Sequence, residues 1–184
     1  MNFCCKPLNK FLLKLFGFTM DYTVPEEAKK CVLVFAPHTS MWDFVVGKMV
    51  LDVMGLNVKF MIRKESFRFP MNIILNLLGG IPVDRQHVRM LPVHIGNMIK
   101  KEDNIAVLIA PEGTRKRVEV WKKGFYFIAQ YAEVPMCLCY IDWGKKIGGI
   151  GHVIKVTGDY DADLKAIQDF YRGMKGRHPE NFNL

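Results

Sequence analysis

The feature that most limits the fold of this chain is a repeated alternation, after Pro25, of short apolar runs with segments of helical period. The apolar runs lie at Cys31–Ala36, Lys59–Ile62, Gly80–Val83, Ile105–Ala110, Met136–Ile141 and His152–Val156. Segments with helical spacing lie near 41–54, 67–78, 88–101, 124–133 and 161–174. This alternation is typical of an α/β domain with a mostly parallel central sheet flanked by helices. We predict one such domain over residues 21–184, with a loose polar tail at Arg177–Leu184.

Composition and net charge exclude several classes of protein and indicate the kind of partner that this chain binds. The chain has 184 residues, of which 50% are hydrophobic, and this excludes a disordered or low-complexity protein. Its net charge of +8 is concentrated at 57–123, which holds thirteen Lys and Arg but six Asp and Glu. Such a surplus favours anionic partners. No nucleic-acid-binding module or aromatic–basic interleaving accompanies it, so we expect phosphate groups or an acidic membrane surface and no nucleic acid.

The cysteines indicate a reducing compartment. Their count is odd and their spacing irregular: Cys4, Cys5, Cys31, Cys137 and Cys139. This is neither a disulfide framework nor a set of metal ligands, so we predict no metal site. We also expect no transmembrane helix and no cleaved signal peptide, because the N-terminal apolar stretch is interrupted by Lys10 and Lys14.

Residues 7–18 predict a short amphipathic helix, part of an N-terminal segment that we assign to residues 1–20. Its apolar positions recur at helical spacing: Leu8, Phe11, Leu12, Leu15 and Phe16. A basic helix of this kind can lie in a membrane interface. It can equally pack on the core of its own domain, and the sequence favours neither interpretation.

The end of the first predicted strand carries a histidine and an aspartate five residues apart. On one continuous helix His38 and Asp43 would lie about 140° apart. They can meet if His38 lies in the turn before a helix and Asp43 in its first turn, with Ser40 as N-cap. Asp43 could then accept a hydrogen bond from the imidazole Nδ1 and leave Nε2 free to take a proton. Ser40 and Asp43 also have capping-box spacing, so Asp43 could simply serve the helix N-terminus.

Two further strand ends carry residues suited to phosphate. Residues 79–85 end in Asp84–Arg85, and the Arg85 guanidinium is a planar fork that matches a phosphate, although a surface ion pair is the simpler interpretation. Residues 110–117 read Ala-Pro-Glu-Gly-Thr-Arg-Lys-Arg, a turn in which Gly113 permits close backbone approach to an anion. A merely solvated basic turn is the alternative. Lys64, near the end of the run Lys59–Ile62, is another phosphate candidate.

Together these motifs are more specific than any one of them. The order His38-x4-Asp43, Gly80–Arg85 and Pro111–Arg115 resembles the glycerolipid acyltransferase family, best known from the 1-acylglycerol-3-phosphate (lysophosphatidic acid) acyltransferases. Val134-Pro135-Met136 looks similar to a fourth block of that family. The likeness extends from about Cys31 to Ile141.

The resemblance implies transfer of an acyl group from a thioester, acyl-CoA or acyl carrier protein, to the hydroxyl of a lysophospholipid, with no further cofactor. His38 would be the general base and Asp43 its partner. The acceptor's glycerol phosphate would be held by a group of residues that the motifs supply: Arg85, Glu112, Gly113, Thr114, Arg115 and Lys64. The resemblance also implies peripheral attachment at the cytoplasmic side of a membrane.

Other functions remain open at this point. The acceptor could be a different lysolipid, water could replace it in a hydrolase, or the protein could bind anionic lipid without catalysis. The segment 67–78 is apolar enough to line an acyl groove or touch a membrane. A helix inside the core is the interpretation that we favour for it.

Overall fold

The computed structural model describes residues 5–84 and 90–184. The helices are α1 (Cys5–Leu15), α2 (Met41–Met54), α3 (Met71–Leu77), α4 (Leu91–Lys101), α5 (Gly124–Ala132) and α6 (Tyr160–Tyr171). The strands are β1 (Thr19–Met20), β2 (Lys30–Phe35), β3 (Val58–Arg63), β4 (Gly80–Val83), β5 (Ile105–Ile109), β6 (Met136–Asp142) and β7 (Ile147–Ile154). Short 3-10 turns occupy Glu26–Lys29, Lys64–Ser66 and Pro179–Asn181.

These strands form one sheet in the order β1-β7-β6-β2-β5-β3-β4. Every neighbouring pair is parallel except β6 and β7, which are antiparallel. The prediction of an α/β domain with a mostly parallel sheet is therefore confirmed. Central β2 pairs with β5 on one side and β6 on the other, so the carboxyl ends of these three strands meet at one edge of the sheet.

Each face of the sheet is covered by helices. Alternating residues of β2 point to opposite faces, as the two-residue period of a strand requires. On one face the buried core includes Val34 together with Ile95 of α4, Ile128 of α5 and Ile167 of α6. On the other face, which packs against α1 and α2, the fully buried Leu13 and the nearly buried Val46 are part of a second core.

The last strand begins earlier than predicted, at Ile147 instead of His152. Its first residues include Gly148, Gly149 and Gly151, which supply no apolar side chain to mark a strand in the sequence. The structure requires small residues here, because a Cβ on Gly148 would lie 2.7 Å from the Tyr140 carbonyl oxygen and 2.9 Å from the Met20 sulfur. This close approach lets β1 pair along the edge of β7.

One face of helix α1 packs against the rest of the domain, and the other face is exposed. Leu13 is fully buried, and the helix lies against α2. Four of the five residues of the predicted apolar stripe are exposed: Leu8, Phe11, Leu15 and Phe16; Phe11 is 63% exposed. The described part of the chain contains no helix long and apolar enough to cross a membrane.

The interpretation of 67–78 as a core helix was wrong. Helix α3 covers only Met71–Leu77 and contains no buried residue. Ile73, Ile74 and Leu77 are about half exposed or more. The segment is a surface helix with an apolar face, because it packs on the sheet edge next to β4 and not between layers.

The predicted loose tail is also wrong. The Trp121 indole donates to the Asn183 carbonyl oxygen at 3.1 Å, and the His178 amide donates to Thr39 Oγ1 at 3.1 Å. Phe182 packs on the same Trp121 ring. We call Gly173–Asn183 the C-terminal strap, because it joins the loops of Trp121 and Thr39 and also accepts, at the Lys175 carbonyl oxygen, a hydrogen bond from the Trp143 amide.

Tyr171 offers a test of how the sheet is fixed beneath those loops. Its hydroxyl is fully buried and lies 2.6 Å from the Val34 carbonyl oxygen and 3.1 Å from that of Cys139, on two neighbouring strands. Tyr171→Phe leaves these carbonyls without that donor, and we expect the free energy of unfolding to fall by about 1–3 kcal/mol in urea denaturation.

The matched control is Tyr160→Phe. The Tyr160 hydroxyl is buried and finds no hydrogen-bond partner among the described residues. Its removal discards an unsatisfied polar group, so we expect unchanged or slightly higher stability. Equal losses for both variants would contradict a bridging role for the Tyr171 hydroxyl.

Candidate active site

The site lies at the carboxyl edge of the sheet, where ligands of α/β proteins gather. Three loops meet there because β5, β2 and β6 are neighbours: 36–40 after β2, 110–114 after β5 and 143–146 after β6. The predicted residues His38 and Glu112 thus come together although 74 positions separate them.

His38 and Asp43 face each other as predicted. His38 lies in the turn before α2, and Asp43 lies in the first turn of that helix. The imidazole Nδ1 lies 3.5 Å from Asp43 Oδ2, with no hydrogen-bond partner among the described residues. Such long contacts occur in substrate-free sites and shorten when substrate binds. The His38 side chain is 24% exposed, although its Nδ1 atom is buried.

Asp43 serves the helix N-terminus at the same time. Its Oδ2 accepts hydrogen bonds from the Thr39 amide at 2.6 Å and the Ser40 amide at 2.7 Å. Ser40 and Asp43 form a capping box, and the Ser40 hydroxyl also accepts a hydrogen bond from the amide of Trp42. The two interpretations of Asp43 are therefore compatible, because one oxygen both caps the helix and faces His38.

Glu112 accepts a hydrogen bond from the main-chain amide of His38. The His38 amide lies 3.0 Å and 3.2 Å from the two carboxylate oxygens of Glu112. Only 2% of Glu112 is exposed. Burial raises the pKa of this carboxyl to about 8, with the His38 amide opposing the shift and the negative charge of Asp43 adding to it. Glu112 is thus a buried group that joins two loops.

The next residues, Gly113, Thr114 and Arg115, each line at least one of two cavities at the site, which are described below. Gly113 has φ of +65°, a conformation that a side chain would strain, and its amide donates to the Ala110 carbonyl in the turn. A Cβ here would lie 2.9 Å from the carbons of the Lys122 side chain. Glycine at this position therefore lets Lys122 lie close against the turn.

Two cavities adjoin at the site. The larger, of about 730 Å³, is mainly apolar and extends from His38 between α2, β3 and α3, where Phe44, Leu51 and Leu75 line it. The smaller, of about 430 Å³, is polar and basic. Its lining consists of Thr39, Ser40, Met41, Arg63, Thr114, Arg115, Lys116 and His178. Arg63 and Arg115 line both, and neither forms an ion pair with a described residue.

Two further residues, Lys64 and Arg85, are also predicted from the sequence to bind phosphate. Lys64 lies outside both linings, and its ammonium lies 3.5 Å from a carboxylate oxygen of Asp84. Its neighbour Arg63 points to the site instead, because alternate residues at a strand end face opposite directions. Arg85 lies outside the described residues. Within the described ranges, no group of three or more His, Cys, Asp and Glu could hold a metal ion.

Comparison with known proteins gives a consistent result. A sequence model described as Acyltransferase matches residues 19–142, more than half of the chain. The chain belongs to the acyltransferase family. The crystal structure of the 1-acyl-sn-glycerophosphate (LPA) acyltransferase PlsC from Thermotoga maritima superposes with a TM-score of 0.61 at 18% identity, over 90% of this chain and 74% of that one. That likeness establishes the shared fold. No curated protein matches the chain.

Sequence reasoning missed several residues of the candidate site. The Trp143 indole donates to Asp43 Oδ1 at 2.7 Å, and Arg63 and Lys122 line the larger cavity. Trp143 and Arg63 each stand at the carboxyl end of a strand, β6 and β3. Extending the search of strand ends to every predicted strand would have found both.

The raised pKa of Glu112 predicts a pH-dependent stability. Its carboxyl has an ordinary value of 4.5 in the unfolded chain and about 8 in the folded protein. Between these values the unfolded state ionises while the folded state keeps its proton, so the wild type loses stability as pH rises. Glu112→Gln removes this loss. Relative to wild type, we expect the variant to gain on the order of a few kcal/mol from pH 4 to 9.

Urea denaturation across that range measures the difference, and groups common to both proteins cancel. Glu119→Gln, an exposed change in the same loop, provides the control and should show a flat difference. A flat difference for Glu112→Gln as well would mean that folding leaves the pKa of Glu112 at its ordinary value of 4.5.

Proposed function

We propose that the protein transfers a fatty acyl chain from a thioester, acyl-CoA or acyl carrier protein, to the free hydroxyl of a lysophospholipid. Lysophosphatidic acid, which would give phosphatidic acid, is the acceptor that we favour. The observation that carries this proposal is the position of His38, which faces Asp43 at a place where an apolar cavity adjoins a basic one. An acyl donor and a phosphorylated lipid need these two environments side by side.

In the proposed step His38 acts as general base. Its Nε2 takes the proton of the acceptor hydroxyl as the oxygen attacks the thioester carbonyl carbon. The carbon–sulfur bond then breaks, and the thiolate receives the proton from the imidazolium. The products are an ester and a free thiol. Asp43, on the Nδ1 side of the ring, stabilises the imidazolium that forms in between.

We assign the acceptor phosphate to the basic cavity. Arg115 and Arg63 line it and are not engaged by described acidic residues, so both are available to a phosphate. Thr114 contributes to the same wall, and Arg85 and Lys64 remain candidates for further phosphate contacts. Glu112 acts differently from the sequence-based expectation, because we propose that it fixes the main chain of His38 without touching phosphate.

The oxyanion of the tetrahedral intermediate also needs a donor. The amides of His38, Thr39, Ser40 and Trp42 already donate to protein oxygens. We therefore assign the oxyanion to the cationic side chains that line both cavities, Arg63 and Arg115, instead of the turn itself.

We expect His38→Ala to lower acyl transfer by about 10²–10⁴-fold, the usual contribution of a general base. The assay incubates the protein with lysophosphatidic acid and palmitoyl-CoA and measures phosphatidic acid and free fatty acid by mass spectrometry. His94→Ala, an exposed histidine on α4, is the control and should retain activity.

Equal product from His38→Ala and wild type would exclude the general-base role. Free fatty acid as the main product would indicate a hydrolase. Lipid binding without turnover, tested also with acyl carrier protein and other lysolipids, would indicate a non-catalytic lipid-binding protein.

We further propose that α1 seats the protein on a membrane, at the cytoplasmic side. The exposed apolar face of α1 extends towards the site through Phe16, the residue after the helix. The centroids of the Phe16 ring and the exposed Trp42 ring lie 6.5 Å apart. Trp42 follows Met41, which lines both cavities. A lipid leaving the membrane under α1 would therefore meet the cavities at once.

Phe11→Ser should weaken binding to vesicles of phosphatidylcholine and phosphatidylglycerol by about tenfold, because a large exposed ring no longer enters the interface. Sedimentation with vesicles measures the binding. Phe127→Ser makes the same change at a 45% exposed ring on α5, across the sheet, and should leave binding unchanged. Equal binding by all three proteins would exclude α1 as the membrane contact.

A further inference from the structure

The carboxylate of Asp43 has two sides, and they are held by different parts of the chain. Its Oδ2 is held by the amides of Thr39 and Ser40, within the same turn as His38. Among the described residues, Oδ1 has one hydrogen-bond donor, the indole of Trp143 at 2.7 Å, one hundred positions away. A carboxylate anchored through one oxygen can still turn about its Cβ–Cγ bond. The second anchor fixes its plane, and Oδ2 then stays directed at His38.

Trp143 is itself firmly placed. Its amide donates to the Lys175 carbonyl oxygen at 2.9 Å, which joins it to the C-terminal strap. Its ring packs edge-on against Phe18 with centroids 5.2 Å apart. Two cations lie against the ring, the Arg177 guanidinium at 4.9 Å and the Lys146 ammonium at 4.8 Å from its centre. These contacts hold the indole on several sides, so its N–H keeps a fixed direction towards Asp43.

The strap also contacts the histidine turn. Arg177 lies between the rings of Trp143 and Trp42, 5.4 Å from the centre of the latter. Gly176 packs so closely on Thr39 that a Cβ would lie 2.6 Å from Thr39 Oγ1. The strap therefore holds Trp143 and the His38 turn in one arrangement. Trp143 and the strap both lie beyond residues 19–142, the range that matches the acyltransferase family.

We propose that Trp143 is a positioning residue for the His38–Asp43 pair, acting through its indole hydrogen bond to Asp43, and that the C-terminal strap holds Trp143 in place. This inference rests on the proposed acyl transfer for its effect on rate. Its structural part, control of the orientation of Asp43 towards His38, stands independently of the substrate.

The decisive variant is Trp143→Phe, which keeps an aromatic ring beside Phe18 and Arg177 but removes the N–H donor. We expect kcat to fall about tenfold or more, since a hydrogen bond to a charged group is lost, while KM for both substrates stays within about twofold. Trp121→Phe is the matched control. It removes an indole donor from the other end of the strap, at Asn183, without touching Asp43. We expect it to lower the melting temperature to a similar degree and leave kcat within about twofold.

A spectroscopic arm tests the positioning without any substrate. In protein with ¹⁵N-labelled histidine, at a pH where the imidazole is neutral, the ring nitrogen shifts of His38 report which nitrogen carries the proton. We expect the wild type and Trp121→Phe to carry it on Nδ1, facing Asp43, and Trp143→Phe to show a mixture of tautomers. The His38→Ala variant assigns the signals among the five histidines.

Unchanged kcat or an unchanged His38 tautomer in Trp143→Phe would overturn the proposal. An equal loss of kcat in Trp121→Phe would also overturn it, because the effect would then come from general loosening of the strap. If the wild type shows no acyl transfer with any donor or acceptor, the proposed function fails, and the tautomer measurement still decides whether Trp143 positions the pair.

Discussion

The arrangement of the whole carboxyl edge depends on one buried carboxylate. Asp43 is 1% exposed, so its charge must be satisfied by protein groups instead of water. Two of its donors are amides of the turn that holds His38, and the third is the indole of Trp143 after β6. Satisfying the charge therefore fixes the turn, the start of α2 and the end of another strand together. The same hydrogen bonds that make the burial tolerable shape the site.

Glu112 provides a contrast within a few ångströms. It is nearly as buried as Asp43, but its hydrogen bonds to the described residues come from one amide, that of His38. With fewer donors and a negative neighbour, its charged form is poorly stabilised, which is why the pKa of Glu112 rises to about 8. Two acidic residues at one edge thus differ in environment: Asp43 accepts hydrogen bonds from three donors, whereas Glu112 accepts from one amide.

The sequence predicted what short-range pattern determines. Alternating apolar runs gave the strands β2 to β6 and the helices α2 and α5 close to their observed bounds, and strand ends brought His38, Asp43 and the 110–115 turn to one edge. It missed β1 because a strand of two residues is too short to show a periodic pattern. It misplaced the start of β7 because the glycines there allow a close backbone approach and carry no apolar side chain. The hydrogen bonds of Trp143 to Asp43 and of the C-terminal strap to Thr39 join residues 100 and 139 positions apart. Such contacts leave no local pattern, and polar residues near a chain end look loose until their partners are known.

Leu13 has a consequence for how this protein could meet a membrane. It is fully buried in the core, on the same helix whose Phe11 faces outward. The helix is therefore not a detachable tether, since removing it would open the core. By mass action, a ligand that binds only the docked helix also stabilises the folded state. A bilayer that captures the outer face of α1 would act as such a ligand, so attachment and folding become linked equilibria, and a protein released from the surface would also be easier to unfold.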